Sequence, residues 1–142
     1  KFTALYGYWG GGINITDGKY SYFHYPENFS QQNPDRYQYT LMPTHMRQFF
    51  SNEELQTATL HKPFDFTKDI PLLKINRIER KTDGGYKGFE DTKRALYNLQ
   101  NDPGQLKPLA DEKKSKEYQQ MMIDIINEYD PPKELIKNYF EN

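Results

Sequence analysis

Tyr118, Met121, Met122, Ile125, Ile126 and Tyr129 recur at the three-and-four spacing of an α-helix, and nothing else in the chain carries so long an apolar stripe. Such a stripe has to be buried against another element. The residues before it favour strands, so its partner is a sheet. The chain therefore reads as an α+β domain: a small antiparallel β-sheet, about four strands, with one long C-terminal amphipathic helix packed on it. Residues 1–142 are expected to form a single domain.

Phe2 to Tyr25 is rich in β-formers and is interrupted at Gly10-Gly11-Gly12 and at Asp17-Gly18, the second being a two-residue hairpin signal. This pattern predicts three short antiparallel strands. In the last, Tyr20, Tyr22 and His24 share one face while Ser21, Phe23 and Tyr25 share the other, so both faces are expected to contact protein. Pro26 to Arg36 is polar loop, and Tyr37 to Met42 is a strand stopped by Pro43. Ser51 and Glu54 form a capping box that opens a short helix through Leu55 and Ala58, ending before Pro63.

Ile70 to Ile75 places Pro71 at an edge or a strand start, and Thr82 to Gly88 is a turn-rich connector. Arg94 to Leu99 is the last strand, broken by Asn101-Asp102-Pro103-Gly104. The sheet is expected to combine the regions near Phe2 to Tyr8, Ile13 to Tyr25, Tyr37 to Met42 and Arg94 to Leu99. Pro131-Pro132 ends the long helix, and Leu135, Ile136, Tyr139 and Phe140 mark one further short helix.

Charge narrows the function classes. The 19 basic and 20 acidic residues are scattered, giving a net charge of -1, so no long-range field draws the chain to nucleic acid or anionic lipid. No apolar run approaches the roughly 20 residues of a membrane span. With no Cys there are no disulfides, thiolate metal sites or Cys nucleophiles, and the compartment, cytoplasmic or exported, stays open.

The glycine run lacks the following helix and the Lys-Ser or Lys-Thr pair of a phosphate cradle, so it reads as a hairpin connector. Its missing Cβ atoms also let a neighbouring domain or a substrate approach the backbone. His45 and Arg47 follow Pro43 on a loop leaving a strand, where an imidazole and a cation can meet an anionic ester or a sugar hydroxyl. With Asn14 they are the substrate-pocket candidates. His24 and His61 are isolated and read as structural. The aromatics from Tyr6 to Tyr39 fill a thin sheet's core or an interdomain face, or alternatively offer a stacking platform for carbohydrate.

Three segments together resemble the C-terminal subdomain of the sulfatases of the alkaline phosphatase superfamily, the arylsulfatase-like enzymes. Gly7-Tyr8-Trp9-Gly10-Gly11-Gly12-Ile13-Asn14-Ile15-Thr16-Asp17-Gly18-Lys19-Tyr20 is similar to a glycine-rich strand and hairpin in a subset of them, and Tyr37-Gln38-Tyr39-Thr40-Leu41-Met42-Pro43-Thr44-His45-Met46 to another segment of the same subset. Ala95-Leu96-Tyr97-Asn98-Leu99-Gln100-Asn101-Asp102-Pro103-Gly104-Gln105 resembles the family signature in which a strand runs into an Asp-Pro-Gly turn. Asn98 stands where Asp is usual and Gln105 where Glu is common.

The resemblance implies that the parent is a sulfuric-ester hydrolase using a formylglycine and a divalent cation, usually calcium, on a sulfated small molecule or glycan. Formylglycine forms in a Cys/Ser-x-Pro-x-Arg motif, and none of Ser21, Ser30, Ser51 or Ser115 is followed two places on by Pro. Catalytic residues and metal ligands are therefore expected to be none in this chain, and its partner to be an N-terminal catalytic domain. Lys1 leads directly into a strand pattern, a start that reads as mid-protein. The alternatives are a free-standing carbohydrate-binding module, or the same subdomain of a phosphonate or phosphodiester hydrolase.

Overall fold

The computed structural model describes residues 2–7, 11–26, 37–42, 44–45, 48–76 and 93–141, with the backbone alone for His45 and Gln48. In chain order these residues form β1 (Ala4–Gly7), β2 (Ile13–Thr16), β3 (Tyr20–His24), β4 (Tyr37–Thr40), β5 (Thr44–His45), β6 (Gln48–Phe49), α1 (Asn52–Gln56), β7 (Thr59–His61), a 3-10 turn (Asp65–Thr67), β8 (Leu72–Asn76), β9 (Ala95–Asn98), α2 (Glu112–Asn127) and α3 (Lys133–Phe140). The expected loop over 27–36 and the connector Thr82 to Gly88 lie outside the described residues.

The first sheet has the order β1-β2-β3-β9, with every pair antiparallel. Its register sorts the side chains into two faces. Leu5, Ile15, Tyr22 and Leu96 stand in one cross-strand row, and on that face Ile15, Tyr22 and Leu96 close a core with Tyr118, Met122 and Ile126 of α2. The stripe of α2 thus meets the sheet as its spacing requires. Leu135, Ile136 and Phe140 of α3 extend the same core.

Tyr129 does not belong to it. The helix ends at Asn127 with Glu128 as its cap, and Tyr129 beyond is 65% exposed. At the other end, Asp111 caps α2 by accepting from the backbone N–H of Lys114 at 2.9 Å.

Strand membership differs from expectation in one place. Tyr37–Thr40 does not join the first sheet but pairs with Leu72–Asn76 in a second, of order β4-β8-β7. Both edges of β3 are already taken, by β2 and β9, and the partner of β4 is the strand that starts just after Pro71. β7 was not anticipated: it has three residues, with Thr59 and Leu60 exposed, so no alternation marks it.

Two local signals are modified. Thr16 pairs with Ser21, so the Asp17-Gly18 connection spans more than two residues. The Asp17 Oδ1 accepts from the backbone N–H groups of Lys19 at 3.0 Å and Tyr20 at 2.9 Å, which favours an Asx-type loop over a tight hairpin. The capping box is present: Ser51 Oγ accepts from Glu54 N and Glu54 Oε2 from Ser51 N. However, α1 stops at Gln56 with Thr57 as its cap, leaving Ala58 outside.

Candidate functional site

The face of the first sheet turned away from α2 carries a second cross-strand row, Tyr6, Asn14, Phe23 and Ala95. Strand alternation dictates this composition: every neighbour of a core residue in sequence points to the opposite face. The Tyr6 and Phe23 rings meet edge-on, 6.2 Å apart, across the position of Asn14, and Phe23 meets Tyr97 in the same way at 5.7 Å and 89°. The Tyr6 hydroxyl is 2.7 Å from Ser21 Oγ.

Ala95 interrupts this ladder of rings. Its methyl group leaves a hollow of about 250 Å³ lined by Phe23, Tyr25, Lys93, Ala95, Tyr97 and Gln105. Two backbone features shape the walls. A Cβ on Gly12 would lie 2.8 Å from the Tyr25 ring, so the glycine provides the seat for that ring. Gln105 comes from the turn after β9 and has φ 54°, a left-handed conformation uncommon outside glycine.

The turn holds Gln105 there. Asp102 accepts from the backbone N–H groups of Leu106 at 3.1 Å and Lys107 at 2.8 Å, and these two bonds keep its carboxyl below the usual carboxylate range. Asn98 Oδ1 accepts from the N–H groups of Gln100 at 3.0 Å and Asn101 at 3.3 Å, a role an Asp would fill equally. Gln105 Oε1 is buried and finds no hydrogen-bond partner among the described residues.

His24 is enclosed on the core face. Its Nε2 is 2.5 Å from the Tyr139 carbonyl, to which it donates, its Nδ1 lies 3.3 Å from the Tyr22 hydroxyl, and its ring stacks on Phe140 at 4.7 Å. Burial lowers its pKa, the bond to Tyr139 opposes this, and Arg94 adds to the lowering. The ring is therefore neutral and fully engaged, the structural role expected from the sequence.

A third cluster joins α3 to the second sheet. Lys74 Nζ is 3.0 Å from Glu134 Oε1 and sits over the Tyr37 ring at 3.9 Å, and the Tyr39 hydroxyl donates to Glu134. Burial pushes the Glu134 carboxyl up, but the Tyr39 hydroxyl, its own backbone and Lys74 together hold it below the usual range. Burial and then the bond to Glu134 push the Tyr39 phenol up. This arrangement fastens α3 to the second sheet.

Of the sequence-predicted site residues, Asn14 and the backbone of His45 lie among the described residues. Asn14 is on the first sheet, 8% exposed, with an unpartnered buried Oδ1. The backbone of His45 pairs with Gln48 in the separate β5-β6 hairpin, and Arg47 lies outside the described residues. The hollow was missed because its walls come from positions 12 to 105 with no shared motif. Gln105 was visible only as a variant residue of the turn signature. Among the described residues, no group of three or more His, Asp or Glu is placed to hold a metal ion, and no helix is long and apolar enough to cross a membrane. No protein-family model, curated protein or solved structure matches the chain.

Proposed function

We propose that this chain is the C-terminal subdomain of a sulfuric-ester hydrolase, completing that enzyme's fold without supplying its catalytic groups. The observation that carries the reading is the passage from strand to turn to helix. β9 occupies the edge of the four-stranded antiparallel sheet, runs into the Asp102-Pro103-Gly104 turn, and the chain then returns as α2 over the core face. The signature residues are turn-builders here: Asn98 and Asp102 together accept four backbone N–H groups.

The docking surface in this reading takes in the exposed apolar side chains after β4, in β6 and in β7. Leu41, Met42, Phe49 and Leu60 are 61%, 60%, 76% and 74% exposed. The N-terminal domain would supply the formylglycine, the divalent cation and the sulfate-binding cations.

The gene upstream of the Lys1 codon tests the reading directly. A Cys/Ser-x-Pro-x-Arg motif in the same open reading frame is expected, and the longer product should hydrolyse p-nitrophenyl sulfate in a calcium-dependent manner. A reading frame that starts near Lys1 overturns the proposal.

A further inference from the structure

The two sheets share no strand pairing among the described residues, and α3 is bonded to both of them. We propose that α3 is an acid-sensitive clasp, docked on both sheets at neutral pH and opening as a unit, hinged at residues 130–132, when His24 takes up a proton. At its first turn Glu134 holds Lys74 of β8 at 3.0 Å and accepts from the Tyr39 hydroxyl of β4. At its last turn the Tyr139 carbonyl accepts from His24 Nε2 of β3 at 2.5 Å, the Tyr139 hydroxyl donates to the Gly11 carbonyl at 2.6 Å, and the Phe140 ring lies on the imidazole. Between the two ends, Leu135 and Ile136 rest on the core of the first sheet.

The helix depends on these contacts. It has eight residues, no side-chain cap at its N-terminus and no fully buried residue, whereas an isolated helix needs roughly 12 residues or more to persist in water. The segment before it is a pivot: Asp130 has φ 47°, and Pro131 and Pro132 carry no backbone N–H to continue α2. Opening therefore leaves α2 on the sheet through Tyr118, Met122 and Ile126, and uncovers the part of the core that Leu135, Ile136 and Phe140 cover.

His24 couples the clasp to pH. The titratable and charged groups that face it are Tyr22 on its own strand, Tyr139 on α3 and Arg94 ahead of β9. Because Nε2–H donates to Tyr139, Nδ1 of the neutral ring accepts from the Tyr22 hydroxyl at 3.3 Å. A proton on Nδ1 sets two donors against each other unless the hydroxyl turns, and it places a cation at a fully buried site near the Arg94 guanidinium. Burial outweighs the Tyr139 carbonyl, which favours the cation from the C-terminal end of α3. With α3 detached, water reaches the imidazole and it protonates near its ordinary value of 6.5. Proton uptake thus favours the open form, by up to about tenfold between pH 7.5 and 5.5. At Glu134 burial is outweighed by the Tyr39 hydroxyl, its own backbone and Lys74, so this end stays ionised over the same range.

The test is native-state hydrogen exchange on the ¹⁵N-labelled full chain, read as protection factors so that the intrinsic pH dependence of exchange is removed. The amides of residues 137–140 should exchange through an opening that low urea leaves unchanged, while those of Met122 and Ile126 follow global unfolding. Protection in α3 should fall by up to about tenfold between pH 7.5 and 5.5. His24→Gln keeps a donor for the Tyr139 carbonyl and should flatten that fall. Glu134→Gln loosens the other end and should lower α3 protection about threefold at pH 7 while leaving its fall with pH in place. The proposal is overturned if α3 exchanges only with global unfolding, if its protection is the same at pH 7.5 and 5.5, or if His24→Gln falls as the wild type does. Should His24→Gln not fold, the first two results on the wild type decide.

Discussion

Replacing Met122 by Ala probes the contact on which the fold depends. Met122 is fully buried, 0% exposed, between Ile15, Tyr22 and Leu96 of the sheet and its helix neighbours Tyr118 and Ile126. The substitution removes Cγ, Sδ and Cε, and at about 0.8 kcal/mol per methylene-sized group the lost transfer free energy is about 2.4 kcal/mol. If the sheet and helix do not collapse inward, a cavity of ~60 Å³ at about 24 cal/mol per Å³ adds about 1.4 kcal/mol. Ala is the better helix former by a few tenths of a kcal/mol, which offsets little. A net loss of about 3 to 4 kcal/mol follows, and with it a melting temperature lower by about 10 to 15 °C.

Urea unfolding monitored by far-UV circular dichroism measures this, and the midpoint should fall with an unchanged m-value. Tyr129→Ala is the control, because the same apolar periodicity includes it while the structure leaves it 65% exposed. Its effect should stay within about 0.5 kcal/mol. A loss below about 1 kcal/mol for Met122→Ala, or equal losses for the two variants, would show that α2 does not pack on the sheet as described.

Three further outcomes are expected. Ser51→Ala removes one half of the capping box at α1 and should cost about 1 kcal/mol in urea unfolding. Gly7→Ala places a Cβ 2.5 Å from the Gly12 carbonyl oxygen, backbone against backbone, and should destabilise by about 1 to 3 kcal/mol or more, whereas Gly18→Ala meets nothing within 4 Å and is opposed only by its φ of 81°, about 1 kcal/mol. The pH dependence of stability should carry the mark of His24, whose pKa is lowered by burial in the folded state. Below the unfolded value of 6.5 the unfolded chain takes up a proton that the folded chain refuses, so stability declines as the pH falls from 7 towards 5. In His24→Gln that decline should be smaller, and an identical slope in the two proteins would count against a buried neutral imidazole.

Elements governed by neighbours a few residues apart were legible in the sequence. The Ser51/Glu54 capping box, the α2 stripe, the break at Asn101 to Gly104 and the alternating strands β2 and β3 all follow from spacing within one element, and each appears in the structure. The α+β class follows from them, since an apolar helix stripe late in a strand-rich chain has one kind of surface to cover. Where the local signal was weak, the reading failed. Thr59–His61 carries no alternation, and Tyr129 continues the helical period past the point where the helix ends.

Tertiary structure decided what sequence distance hides. Whether Tyr37–Thr40 pairs with β3 or with β8 depends on which strand edges remain open after β9 inserts, and periodicity holds no record of that competition. His24 reaches the Tyr139 carbonyl 115 positions along the chain, Tyr39 reaches Glu134 at a separation of 95, and the hollow joins Phe23 to Gln105. These meetings depend on cross-strand register, which turns a residue's sequence neighbours to the opposite face and gives it new ones from other strands. The sequence determined which residues were available for a core and a pocket. Register decided that Met122 belongs to the first and Ala95, with its missing bulk, makes room for the second.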